Sequence, residues 1–258
     1  MSTLPAKGNL FYFKVSGDSL FYLNYDTKTL HVDYNNTHIA DTIKGFASNC
    51  IFQCGTFFYD VGIKDVKEEG KSKFLIHSFS PSSGKRRVIA DFKGITSVQT
   101  RNFKECLENT FEGNFFDLGA DKWMFLFYRA GYFIFYDGNS CQLHQTIDKK
   151  PFREYNLRKI KVGDMTAYVC HSDDETTANF AAAADEKNIY VLSGTSLISK
   201  DTGWHCSIDV YDKDNRQYKY SYFVPFESKE SFATNLVVYK NWLYLHINEM
   251  GLRRYKIK

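Results

Sequence analysis

NFAAAADEKNIYVLS, residues 179–193, decides how this chain is read. It divides into an asparagine, a short apolar run (180–184), a polar turn (185–188) and a second run of β-branched and aromatic side chains. Four alanines favour a helix on propensity alone. Asp185-Glu186-Lys187-Asn188 ends that run after about one turn, and tertiary context outweighs propensity in so short a segment, so both runs read as strands. The same plan recurs in NLFYFKVSGDSLFYLNY (9–25), NCIFQCGTFFYDV (49–61), NFFDLGADKWMFLFY (114–128) and NLVVYKNWLYLHI (235–247). The five leading asparagines, Asn9, Asn49, Asn114, Asn179 and Asn235, stand 40, 65, 65 and 56 residues apart. Units of several strands recurring every 40–50 residues or so are the signature of propeller blades. The uneven spacing then marks loop insertions on one rim.

Working outward, each repeat reads as a meander of short strands joined by polar turns. The first repeat gives strands at 9–15, 20–25, 30–34 and 39–43. The second gives 56–61, 74–79 and 85–92 after residue 49, with a charged loop over 64–73. An insertion over 96–113 precedes the third, which gives 114–118, 123–128, 132–136 and 142–147. The fourth gives 179–184, 189–194, 207–211 and 218–223, with a long loop over 195–206. The last stops after 235–239, 242–247 and 252–257, and residues 1–8 are short for the strand that would complete it. Residues 149–177 fit the pattern least: a hairpin at 159–162 and 166–170 is either a degenerate sixth blade or an insertion. The expected fold is all-β, a single β-propeller domain over residues 1–258. It has five four-stranded antiparallel blades, with six as the alternative. Blades covered on both faces lack a clean polar side, which suits a chain that is 17% aromatic with 23 Phe and 18 Tyr.

The totals exclude several classes. A net charge of +3 is too small for a nucleic-acid footprint. The densest basic stretch, KKPFREYNLRKIK (149–161), reads as a solvated rim loop. No run approaches the roughly 18–20 apolar residues that span a bilayer. The start MSTLPAKGN has no apolar core of a signal peptide. The expected location is therefore periplasmic or cell-surface if an export signal has been removed, and cytoplasmic otherwise. The six cysteines are scattered, and Cys50 and Cys54 would lie about 13 Å apart on one strand, too far to pair. Buried free thiols are expected.

The segments NIYVLSG (188–194), SIDVYDKDNRQYKYSYFVP (207–225) and NWLYLHINEMGLRRYKIK (241–258) resemble TolB-like and NHL-like β-propellers, most of all the exported propeller proteins of Bacteroidetes. The resemblance covers residues 179–258. It implies a binding module, often periplasmic or lipid-anchored, with six blades as the usual number, and it brings no catalytic motif.

Asparagines that open innermost strands would converge on one mouth of a central channel. A ring of amide oxygens at Asn9, Asn49, Asn114, Asn179 and Asn235 binds hydroxyls or water, or holds Ca²⁺ weakly for want of carboxylates. The alternative is that each amide only caps the turn entering its strand. Trp204 and His205, at the end of the 195–206 loop, and the acidic run Asp173, Asp174 and Glu175 are candidate rim contacts. Neighbours along a strand face opposite ways, so Cys170-His171 and His205-Cys206 make no zinc site on strands. No phosphate-binding glycine loop or nucleophile elbow is present. The expected function is a monomeric, non-enzymatic module without a cofactor, binding a protein or carbohydrate through one face and its channel mouth. The alternative is a metal-dependent hydrolase of small esters or lactones at that mouth.

Overall fold

The computed structural model describes residues 10–16, 19–24, 29–34, 37–42, 51–66, 71–80, 83, 85–92, 109–153, 155–172, 177–194, 197–199, 203–226, 231–248 and 250–257. The elements it bounds are β-strands, gathered into successive small sheets. The first sheet holds β1 (Leu10–Ser16), β2 (Ser19–Asn24), β3 (Thr29–Tyr34) and β4 (Thr37–Thr42), antiparallel and in chain order. The second has the same order in β5 (Ile51–Cys54), β6 (Phe57–Val66), β7 (Lys71–Ser80) and β8 (Lys85–Phe92). The third is β9 (Gly113–Gly119), β10 (Lys122–Phe127), β11 (Tyr132–Tyr136) and β12 (Cys141–Gln145). A hairpin follows, β13 (Asn156–Val162) with β14 (Met165–His171).

The fourth sheet comprises β15 (Asn179–Ala184), β16 (Asn188–Ser193), β17 (Leu197–Ser199), β18 (Gly203–Asp212) and β19 (Tyr218–Pro225). The fifth is β20 (Ala233–Tyr239), β21 (Trp242–Ile247) and β22 (Gly251–Lys256). This is the all-β, blade-by-blade build of a β-propeller chain, and the four-alanine run is strand β15. The chain divides into two compact units, residues 1–62 with 75–91, and residues 63–74 with 92–258.

Several expectations change. The charged segment 64–73 is not all loop, because β6 continues to Val66 and β7 begins at Lys71. Part of the basic stretch 149–161 is strand β13, where Arg158 and Lys159 are exposed. Of the expected insertion over 96–113, only residues from 109 onward are described, and Gly113 already belongs to β9. The 195–206 loop contains β17, which pairs Leu197 with His205 and Ser199 with Gly203. Since β16 pairs β18 only from Asp212 to Ile208, β17 continues that side of β18 while β19 pairs its other edge. Cys54, Cys141 and Cys206 are free, but Cys170 is disulfide-bonded. Wide spacing along a chain does not keep cysteines apart in space.

In the second unit the fourth sheet is covered on both faces. Alternate residues go to opposite sides. Ile189 and Val191 of β16 and Tyr211 of β18 pack with Leu118, Met124, Leu126, Phe133 and Phe135 of the third sheet. Tyr190, Leu192, Ile208 and Val210 pack with Leu236, Leu243, Leu245 and Ile247 of the fifth. Each fully buried aliphatic side chain contributes roughly 1.5–3 kcal/mol. β15 packs between β9 and β20, the first strands of the flanking sheets. Ala181 and Ala182 fit there, one on each side, because converging backbones leave little room for larger side chains. β15 and β20 also share a register shift at their starts, between Asn179 and Ala181 and between Ala233 and Asn235.

Candidate functional site

The asparagines differ from one another. Asn179 is buried at 1% exposure, and its Nδ2 donates to the carbonyls of Phe127 and Ala130, both at 2.9 Å. The Ala178 and Asn179 amides donate to Tyr128 O nearby, so Asn179 clasps the exit of β10 to the entry of β15. Its Oδ1 is buried without a hydrogen-bond partner. Asn114 and Asn235 are exposed, and each Oδ1 accepts from the following amide, Phe115 N at 2.9 Å and Leu236 N at 2.8 Å. Asn9 and Asn49 lie outside the described residues, as do Asp173, Asp174 and Glu175. Trp204 and His205 belong to strand β18 and not to a loop. Trp204 is half-buried against the core between the fourth and fifth sheets, and the buried His205 meets the Phe223 ring edge-on at 5.3 Å.

Space is scarce around these strand starts. A Cβ on Gly113 would lie 2.3 Å from Leu126 O, and one on Gly194 would lie 2.3 Å from Thr177 O. Close by, the buried Asp209 accepts from Ser207 Oγ at 2.8 Å and Ser221 Oγ at 2.6 Å. Burial pushes its pKa up, outweighing those two hydrogen bonds.

The opposite ends of the same strands are open. The turns after β9, β15 and β20 line one cleft of about 1090 Å³, with Asp117, Lys122, Asp185, Lys187, Lys213, Tyr239 and Lys240 on its walls. Because β9, β15 and β20 all end at this cleft, Asn114, Asn179 and Asn235 stand most of a strand length away, roughly 13–17 Å. Gly119, Ala120 and Asp121 take positive φ of 75°, 53° and 58°, which closes the β9–β10 hairpin tightly. Asp117 Oδ1 accepts from Gly119 N at 2.8 Å. In the neighbouring turn Asp185 accepts from Lys187 N and Asn188 N, both at 2.7 Å, from Tyr190 Oη at 2.6 Å and from Asn188 Nδ2 at 3.4 Å. Burial alone would raise the Asp185 pKa, but these donors outweigh it and hold it below the usual value. Burial in turn pushes the Tyr190 phenol up, helped by its bond to Asp185.

Lys213 comes from the turn between β18 and β19. Its Nζ donates to Leu118 O at 2.6 Å and Asp185 O at 2.8 Å, tying the third sheet to the fourth. Burial lowers its pKa, and the charge of Lys122 lowers it further. Sequence reading treated these segments only as turns. The signal that marks them is the charged or amide residues closing successive inner hairpins, at Asp121-Lys122, at Asp185 to Asn188 and at Lys240-Asn241.

The first unit holds another polar cluster. Asp60, buried in β6, lies 2.6 Å from His77 Nδ1, and Arg86 Nη2 donates to both its oxygens at 2.8 Å. An aspartate–histidine pair is two-thirds of a hydrolytic triad. Here Arg86 Nη2 also sits 3.2 Å from His77 Nδ1, and Gly62 leaves no room for a Cβ against His77 Cε1. The cluster therefore holds β6, β7 and β8 together. Among the described residues no three His, Cys, Asp or Glu side chains are grouped to hold a metal, and no helix is long and apolar enough to cross a membrane.

No protein-family profile matches the chain, and no curated protein matches it by sequence. Among solved structures it is similar to the β-propeller domain of the Trilobed protease from Pyrococcus furiosus, at 12% identity and TM-score 0.39, covering 96% of this chain and 81% of that one. It is also similar to catalytically inactive virginiamycin B lyase from Staphylococcus aureus, at 11% identity and TM-score 0.38, covering 99% and 83%. A third is the computationally designed Ika8 protein, at 11% identity and TM-score 0.43, covering 98% and 72%. Scores this low do not establish a shared overall arrangement, and the reading of the chain rests on its own strands and side chains.

Proposed function

We propose that the chain is a non-enzymatic binding module that takes a protein or glycan ligand in the cleft at the turn ends of β9, β15 and β20. In this reading the sheets close into a ring of five four-stranded blades of the TolB-like or NHL-like kind. The observation that carries it is the cleft itself, where turns from three consecutive sheets meet. A concavity where polar groups converge is a candidate binding site. Its chemistry favours holding over reacting. Asp185 is occupied by four donors from its own turn and strand, so it is poorly placed as a general base. Lys213 is tied to two main-chain carbonyls. The disulfide at Cys170 supports an exported protein, since such bonds persist in oxidising compartments.

The test is a screen of glycan and peptide arrays with wild-type protein and with Tyr239→Ala, beside assays on small esters and lactones. Ligand capture weakened by Tyr239→Ala, without turnover, supports the reading. Hydrolysis abolished by substitutions in the cleft overturns it in favour of the hydrolase.

A further inference from the structure

We infer that the ligand of this cleft is an acidic glycan, with a sugar carboxylate held by Lys213 and Lys122 and a sugar face packed on Tyr239. This rests on the cleft being the binding site. An ammonium has three N–H donors, and Lys213 uses two of them on Leu118 O and Asp185 O. Those acceptors are fixed main-chain atoms of two sheets, so the charge is held in place and cannot swing away. One donor is left at the cleft wall. Lys122, Lys187 and Lys240 line the same cleft, and none of the four lysines forms an ion pair among the described residues. Four carboxylates line the cleft beside these four lysines. Asp185 is saturated by its turn, and Asp117 caps Gly119. Glu186 and Asp214 complete the acidic part of the lining. Burial lowers the Lys213 pKa and the charge of Lys122 lowers it further, outweighing Asp185, Asp117 and Asp214, so two cations stand close together at this wall.

The choice of sugar over peptide comes from Tyr239. It is 61% exposed, lines the cleft, and has Lys240 Nζ 5.3 Å from its ring centroid. An exposed ring beside ammonium groups that form no ion pair among the described residues complements both things a uronate carries, an apolar sugar face and a carboxylate.

Calorimetry with oligogalacturonate, neutral malto-oligosaccharide and poly-glutamate tests this. Oligogalacturonate is expected to bind, and malto-oligosaccharide is not. Lys213→Met and Tyr239→Ala are each expected to weaken binding about tenfold or more. Lys213→Met removes a tie between sheets, so Lys122→Met and Lys240→Met repeat the test with side chains that make no such tie; each is expected to weaken binding severalfold. Poly-glutamate bound as tightly, with Tyr239→Ala without effect, overturns the inference in favour of an acidic peptide. Equal binding of the neutral sugar, full binding by all three lysine variants, or no binding of oligogalacturonate also overturns it. Failure of the underlying reading looks different: amide shifts on ligand addition that fall outside the cleft, or turnover of an ester substrate.

Discussion

The two ends of β9, β15 and β20 are built on opposite principles. At the asparagine end, main-chain groups of neighbouring sheets bond directly, and Asn179 is buried between them. At the turn end the same strands part around a cleft of about 1090 Å³, and side chains of the β18–β19 turn, Lys213 and Arg216, reach across to the third sheet. One end of a blade stack can be closed tightly while the other splays, because each sheet twists along its strands. The closed end sets the positions of the strands, and the open end presents the turns that line the cleft.

Asn179→Ala should show the largest effect, about 3 kcal/mol lost in urea denaturation, since Phe127 O and Ala130 O lose a buried donor. Asn235→Ala, whose exposed Oδ1 accepts from the adjoining Leu236 amide, should cost about 0.5 kcal/mol or less. An equal cost at Asn235 would erase the distinction between a buried amide that bonds a neighbouring sheet and an exposed one that bonds its own strand. Next is a pair of glycines. Gly194→Ala drives a Cβ into Thr177 O and should cost about 2–3 kcal/mol. Gly119→Ala meets open space and costs only the strain of its positive φ, about 1 kcal/mol. Ala120→Gly at the same turn should stabilise by about 0.5–1 kcal/mol, because glycine accepts the φ of 53° without strain.

The smallest effect is in the pH dependence, where two carboxylates should act in opposite senses. Asp185 has a lowered pKa in the folded protein. It contributes stability above the ordinary aspartate value of 3.8, and that stability is lost as pH falls through its folded pKa. Asp209 is raised, so the folded state takes up its proton first and stability improves as pH falls through that raised value towards 3.8. Denaturation midpoints between pH 7 and pH 3 should show Asp185→Asn destabilised at neutral pH with the deficit closing in acid. Asp209→Asn, which keeps an acceptor for Ser207 and Ser221, should show no deficit at neutral pH.

Much of this was legible in the sequence. The strands of the first, third and fourth repeats fall within a few residues of their expected places, because alternating aromatic runs between polar turns have few other solutions. Among the described residues Asn114, Asn179 and Asn235 each fall within the first three positions of a strand. The recurrence does not say what each amide does: Asn179 donates to carbonyls at the exit of a neighbouring sheet's strand, while Asn235 accepts from the adjoining amide. The strand β17 was hidden because three residues in a stretch punctuated by Ser, Asp and Gly carry no periodicity. The cleft was not legible either. It requires Lys213 to reach back over two sheets, to Leu118 O and Asp185 O, and no local spacing encodes that.

The hairpin of β13 and β14 carries a last consequence. Two strands alone make a marginal sheet, and here Val162, Met165 and Tyr168 are 53%, 71% and 62% exposed. Little buried surface resists its opening, so the crosslink at Cys170 contributes disproportionately to its order. In a reducing solution its amides should exchange with deuterium well before those of β16, while the sheets beside it keep their protection. The hairpin would then report the redox state of its surroundings without the rest of the molecule unfolding.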